Sequence, residues 1–278
     1  MRIAAALHSN ADIFAANRAT GHIALSVAAA NGRTRRARVH EDGSLRVRFP
    51  NAAPESLEAV IVNTGGGMTG GDRFAIEIAL EADSRLIAGS AAAEKIYRSN
   101  GPDAEMTVEL SLADGARLAW LPQETILFDN ARLTRRIDVD LSASATLLMA
   151  EAVVFGRSAM GEAMNHGTFT DRWRVRRAGK LVYADTARLD GAIAAKLGEA
   201  AVTAGGIAIA TVLIAPAGDD KLAAVRALSE TFVGEVGVSA WNGIAVARLC
   251  AKDGAALRHD LIAVLAALGA PVPRLWLQ

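Results

Sequence analysis

The residues whose spacing most resembles a working site form one run, Asn63-Thr64-Gly65-Gly66-Gly67-Met68-Thr69-Gly70-Gly71-Asp72, in which Gly65, Gly67 and Gly70 satisfy G-x-G-x-x-G. In a dinucleotide site such glycines let the backbone approach a pyrophosphate, and the amino terminus of the following helix receives the negative charge. Here the next residues, Arg73 to Leu80, alternate apolar and polar as a strand does, and no Lys-Ser or Lys-Thr pair supplies a P-loop. A nucleotide-binding enzyme using the Gly65–Gly71 loop is thus one alternative. A tight bend between strands, needing glycine for positive φ and close chain approach, is the other. The remaining chemistry is dispersed. His8, His22, His40, His166 and His259 are not paired at metal-ligand spacing, and neither H-E-x-x-H nor G-x-S-x-G occurs. Cys250 is the single cysteine, which excludes an internal disulfide framework and a multi-cysteine zinc or iron–sulfur centre.

The elements that must position any site are mostly strands. Met106, Val108, Leu110 and Leu112 alternate with polar residues, and so do Phe74-Ile76-Ile78-Leu80, Ile137-Val139-Leu141 and Trp173-Val175. Turn signals fall between such runs at Asn31-Gly32, Asp42-Gly43, Asp114-Gly115 and Arg177-Ala178-Gly179-Lys180. The last third changes period. Leu222, Val225 and Leu228 predict a helix capped by Asp219 or Asp220, and Leu257, Leu261, Val264, Leu265 and Leu268 predict a second helix from about Ala255 to Leu268, closed by Gly269 and Pro271. Strands around Ile207–Ile214 and Ile244–Leu249 flank the first of these. The expected fold is mainly β, a many-stranded architecture with a small α/β carboxy-terminal portion carrying two helices. The β-rich region spans 1–200 and the smaller portion 201–278 packs on it, or the two form one domain.

Bulk properties narrow the function classes. The 278 residues carry 30 Lys+Arg against 30 Asp+Glu, so no net field draws the whole surface to nucleic acid or to anionic lipid. The apolar run Ile3 to Leu7 is too short for a signal-peptide core, so a cytoplasmic location is expected. Ala200 to Ala215, the one stretch resembling a membrane span, is rich in Ala, Gly and Thr and stops at Pro216. It reads as a buried strand.

Several blocks taken together resemble the UreD (UreH) family of urease accessory proteins. They are the glycine run with Asp72, Ala93-Glu94-Lys95-Ile96-Tyr97-Arg98-Ser99, Trp120-Leu121-Pro122-Gln123-Glu124-Thr125-Ile126 leading to Phe128, Phe155-Gly156-Arg157-Ser158-Ala159-Met160-Gly161-Glu162, Asp171-Arg172-Trp173, and Pro273-Arg274-Leu275-Trp276. The resemblance implies a largely β fold and a non-enzymatic cytoplasmic scaffold. It also implies a complex with UreF and the GTPase UreG that docks on apo-urease and delivers nickel, with no nucleic-acid or membrane partner. Nucleotide chemistry would belong to UreG. No cofactor would be tightly held, and nickel would be in transit through an internal, hydrated passage.

A carrier that passes an ion onward must hold it weakly at several places, and carboxylates with water suffice for Ni²⁺. Within that resemblance the candidate acids are Asp72, Glu151 and Asp185, each amid apolar sequence, with Glu94 and Glu162 in a second tier. A buried carboxylate costs several kcal/mol to desolvate, by order of magnitude, unless it meets a cation, a donor or water. The structural alternatives are that Asp72 caps its turn, that Glu151 pairs with an arginine such as Arg157, and that Asp185 pairs with Arg188. Trp120, Phe128, Phe155 and Trp173 are either core residues or interface anchors. The basic runs Arg33–Arg38 and Arg172-Arg174-Arg176-Arg177 are either solvated strand faces or docking surfaces for an acidic partner.

Overall fold

The computed structural model describes residues 18–50, 56–270 and 272–277. The chain begins as a hairpin, β1 (Thr20–Ala30) and β2 (Arg33–Gly43), then crosses to a second sheet as β3 (Leu45–Arg48) and β4 (Leu57–Asn63). It returns as β5 (Arg73–Leu80), crosses again as β6 (Arg85–Ser90) with the short β7 (Glu94–Ile96), returns as β8 (Ala104–Leu112), and crosses as β9 (Arg117–Leu121) with β10 (Thr125–Leu127). A further coil comprises β11 (Arg132–Leu141) and β12 (Thr146–Arg157), with the two-residue β13 (Glu162–Ala163). The hairpin β14 (His166–Arg177) and β15 (Lys180–Ala192) completes the first sheet. The remaining strands, β16 (Ala208–Ala215), β17 (Glu235–Trp241) and β18 (Ile244–Ala251), extend the second.

This alternation builds a β-solenoid-like body. Sheet one has the order β15-β14-β11-β8-β5-β1-β2, parallel from β14 to β1 and antiparallel at both ends. Sheet two runs β17-β18-β16-β12-β9-β6-β4-β3, parallel from β12 to β4. Each coil contributes one strand to each sheet, so inward side chains of successive coils stack in rows. Ile76 and Ile78 of β5, Val108 and Leu110 of β8, and Ile137 and Val139 of β11 form such rows in register. They build the core between the sheets. Both outer hairpins turn on two residues with positive φ, Asn31-Gly32 and Ala178-Gly179, the backbone hand that matches strand twist.

A third layer covers the outer side of sheet two. The short α1 (Ile193–Gly198) packs against β14 and β15, and the layer itself is formed by α2 (Asp219–Arg226) and α3 (Gly254–Ala267). Leu257, Leu261, Val264 and Leu265 of α3 pack with Ala150, Ala152, Val212 and Leu249 in a second apolar cluster. Sheet two is therefore buried on both faces at β12 and β16, which explains why Ala208–Ala215 reads as a continuous apolar run. Arg258 of α3 forks onto both oxygens of Glu124 at 2.8 and 2.6 Å, and Trp276 donates to the Leu121 carbonyl at 3.2 Å. Those contacts assign the Trp120–Ile126 and Pro273–Trp276 blocks to the same joint.

The mainly β expectation is met, with two differences in detail. The short helix α1 is additional to the two expected. Helix α2 starts at Gly218 with no side-chain cap, Asp219 and Asp220 lying in its first turn instead, whereas Asp253 caps α3 by accepting from Ala256 N at 2.8 Å. Trp120, Phe155 and Trp173 are buried, so for these three the core placement holds. No helix among the described residues is long and apolar enough to cross a membrane.

Candidate functional site

The inward row of β11 is Leu133, Arg135, Ile137, Val139 and Leu141, and Arg135 occupies its place with 2% of its surface exposed. Its register neighbour on β14 is Asp171, itself inward between Phe169 and Trp173. Arg135 donates to Asp171 through Nε at 2.9 Å and Nη2 at 2.6 Å, a planar fork matched to a carboxylate. Its Nη1 reaches across the core to Glu151 of β12 at 2.5 Å, and Trp120 Nε1 donates to the other Glu151 oxygen at 2.7 Å. A cation in sheet one is thus shared between one acid in its own sheet and one in the facing sheet.

Burial sets the electrostatics of this triad. Desolvation pushes the Glu151 carboxyl above its ordinary pKa, opposed by Arg135 and by the Trp120 donor. For Arg135 burial acts against the charged form, yet the Asp171 and Glu151 carboxylates hold the guanidinium above its ordinary value. Arg135 therefore stays charged, and the ionised triad carries one carboxylate more than it has cations.

Two small cavities meet at Arg135 and Glu151. One, of about 30 Å³, is also lined by Asp171, Asp185 and Arg248; the other, of about 50 Å³, also reaches Trp120, Thr125, Ser90 and Glu94. The first is lined by polar and apolar groups alike, the second mainly by apolar side chains such as Leu45, Phe74 and Met106 with Ser90, Glu94 and Thr125 among them, and both exceed the volume that one water needs, about 10–15 Å³. The first shares Ala187, Thr211 and Arg248 with an open cleft of about 630 Å³ between β15 and β16–β18. A line of polar groups therefore runs from that cleft, between the sheets, to Glu94.

The candidate acids take different places along and beside this line. Asp185 pairs with Arg248 at 2.7 Å rather than with Arg188, and Glu151 pairs with Arg135 rather than with Arg157. Arg157 instead pairs with Glu162 beside the Phe128 ring, away from the cavities. Asp72 closes the glycine turn, as its alternative had it, accepting from Thr69 N and Ala19 N at 2.8 Å each. It lines neither cavity. Arg135 and Asp171 escaped the sequence-based choice. Their signal was present: each interrupts an alternating apolar row at an inward position, Leu133-x-Arg135-x-Ile137 and Phe169-x-Asp171-x-Trp173.

Glu94 differs from Glu151, Asp171 and Asp185 in having no arginine partner among the described residues. It accepts from Asn63 Nδ2 at 2.9 Å, and burial raises its carboxyl to about 7, offset only in part by Asn63 and by Lys95 beside it. An acid whose folded pKa exceeds its unfolded value binds its proton more tightly in the native state. Its contribution is then intact below the unfolded pKa and is lost as pH rises through about 7. Glu94→Gln is expected to flatten the decline in stability between pH 5 and 8, by roughly 2 kcal/mol once solvent screening at this half-buried site is allowed for. Urea unfolding at both pH values checks this. An unchanged pH slope would refute a buried, protonatable Glu94.

The glycine loop serves the chain itself. It leads into β5 and not into a helix, Met68 N donates to the Lys95 carbonyl at 2.7 Å, and Tyr97 N donates to the Met68 carbonyl at 2.8 Å. A Cβ on Gly70 would lie 1.8 Å from Ser99 Oγ, and one on Gly67 2.4 Å from the Tyr97 ring. The loop's close approaches are thus to its own neighbours, and the pyrophosphate cradle of the nucleotide alternative lacks its helix. Among the described residues no group of three or more His, Cys, Asp or Glu side chains is arranged to hold a metal ion.

Fold and interior together define a β-solenoid-like scaffold with charged groups threaded through its core. The sequence model of the urease accessory protein UreD family matches residues 19–277. The chain belongs to that family and has a role in urease maturation. It is 58% identical over 266 residues to a urease accessory protein UreD of Rhodopseudomonas palustris strain HaA2, covering 95% of each chain. It is 55% identical over 272 residues to that of Bradyrhizobium diazoefficiens, covering 98% of this chain and 99% of the relative. These relatives are named as accessory proteins and not as enzymes.

Proposed function

We propose that this protein is a non-enzymatic cytoplasmic scaffold that binds apo-urease and, with UreF and the GTPase UreG, conveys nickel to the urease active site through its own interior. One observation carries this: the line between the sheets places four carboxylates, Glu94, Glu151, Asp171 and Asp185, against two guanidiniums, Arg135 and Arg248. An interior with excess negative charge favours a passing divalent cation, and shared, partly satisfied carboxylates keep its hold weak. Asp171 retains Arg135 by two bonds, so Glu151, which accepts one bond from Arg135 and one from Trp120, is the acid able to turn toward an ion while the arginine stays paired. Glu94 and Asp185 stand at the two ends of the line. Asp72 and Glu162 support it from outside, one through the glycine turn and one through the Arg157 loop.

Nickel is cargo in this reading and not a resident cofactor. Deleting the gene from a urease gene cluster is expected to lower both the nickel content and the activity of urease, with excess nickel restoring them only in part. Co-purification with UreF tests the scaffold half of the proposal. Full urease nickel content without this chain would overturn it.

A further inference from the structure

The two basic runs of the chain have different fates in the fold. On β14, Arg172 pairs with Asp138 at 3.5 Å, Arg174 donates to the Asp185 carbonyl at 2.9 Å, and Arg177 donates to the Ala143 carbonyl at 2.6 Å. On β2, Arg36 lies over the Phe49 ring at 4.8 Å, whereas Arg33, Arg35 and Arg38 have no ion-pair or hydrogen-bond partner among the described residues. These three are exposed. Most other buried or half-buried arginines find acids: Arg132 with Asp103, Arg135 with Asp171, Arg258 with Glu124.

Local geometry gathers the free three. Residues 33, 35 and 38 are not spaced by two, so a regular strand would send Arg35 and Arg38 to opposite faces. A register shift at Ser26/Val27 corrects this, setting Arg33, Arg35 and Arg38 opposite Ala30, Ala28 and Ser26 of β1. Those partners alternate with the buried Ile23, Leu25 and Val27, so all three arginines share the outer face. Strand β2 is also the last of sheet one. Among the described residues its backbone bonds run to β1, and its far edge is open along Arg33–Asp42.

From the bulge, the open edge and the unpaired charges we infer that β2 is the docking edge for an extended acidic segment of a protein partner, added as a further antiparallel or parallel strand. Main-chain bonds to the open edge supply affinity, and acids at alternate positions of the added strand lie beside Arg33, Arg35 and Arg38 as cross-strand neighbours. Charge and a bulge also protect an edge from aggregation, but neither requires three unpaired arginines to be aligned on one face. The surface lies on the outer side of sheet one, so this interaction does not depend on the polar line between the sheets.

Fluorescence anisotropy of the full chain with a labelled ten-residue peptide alternating glutamate and valine tests the inference. The peptide is expected to bind with salt-sensitive affinity. The variant carrying Arg33→Glu, Arg35→Glu and Arg38→Glu, with an unchanged circular dichroism spectrum and melting temperature, should bind it about tenfold or more weakly. Methylating alternate backbone nitrogens of the peptide should weaken binding comparably, because the carbonyls of the edge then lose the peptide N–H groups that would donate to them. Equal binding by the triple variant, or by a lysine–valine peptide, would overturn the charge recognition. Equal binding of the methylated peptide would overturn strand addition, and tighter binding of single-stranded polyuridylate than of the acidic peptide would reassign the surface to nucleic acid.

Discussion

Arg135→Met is expected to destabilise the protein by about 3–5 kcal/mol, because it leaves Glu151 and Asp171 buried with no cation between them. Methionine fills much of the volume, so the loss measures uncompensated charge more than a cavity. The deficit has a pH signature. With the arginine gone, the burial that already raises the Glu151 carboxyl loses its main opposing cation, so the destabilisation is small below about pH 4 and grows as pH rises. Combining Arg135→Met with Glu151→Gln and Asp171→Asn should recover most of the loss, since neutral groups can share the Trp120 donor and each other. Urea midpoints at pH 4.5 and 7.5 for the single and triple variants provide the measurement. A single variant within 1 kcal/mol of wild type at pH 7.5, in order-of-magnitude terms, would mean that water already solvates the two acids.

The coils were legible because their inward rows are simple alternations: Phe74 to Leu80 and Met106 to Leu112 each name a strand, its inner face and its length. The coil-to-coil register was not, since parallel neighbours such as β5 and β8 are separated by strands of the other sheet and nothing local fixes their alignment. Partners of charged groups suffered most. Glu151 and Asp185 were recognisable as acids in apolar company, but nearby Arg157 and Arg188 were the natural guesses, whereas the fold supplies Arg135 and Arg248 from other coils. Asp72 behaved differently because its partners, the amides of Thr69 and Ala19, satisfy a turn. Its capping role needed only the local glycine pattern. Arg135 could have been found from its phase within the apolar row of β11, a signal about burial that carries no information on the partner.

Glu151→Gln isolates charge from architecture and is the decisive variant for the proposed conduit. The amide keeps the side chain's shape and one acceptor oxygen, but its NH₂ must face either Trp120 Nε1 or Arg135, so a stability cost of about 1–3 kcal/mol is expected. That cost leaves a folded chain able to co-purify with its partners. What disappears is the negative charge at the point of the polar line where the two cavities meet, the Arg135–Glu151 contact. A divalent ion would then pass a guanidinium with one carboxylate fewer to screen it. In a poorly solvated interior that raises the barrier by more than one factor of ten, so urease activation at limiting nickel should fall about tenfold or more. Glu151→Asp, which keeps the charge on a shorter stem, should restore a substantial part of the rate. The measurement is nickel bound per urease active site against time, with complex assembly monitored in parallel. Wild-type loading by an assembled Glu151→Gln complex would show that the ion takes another path.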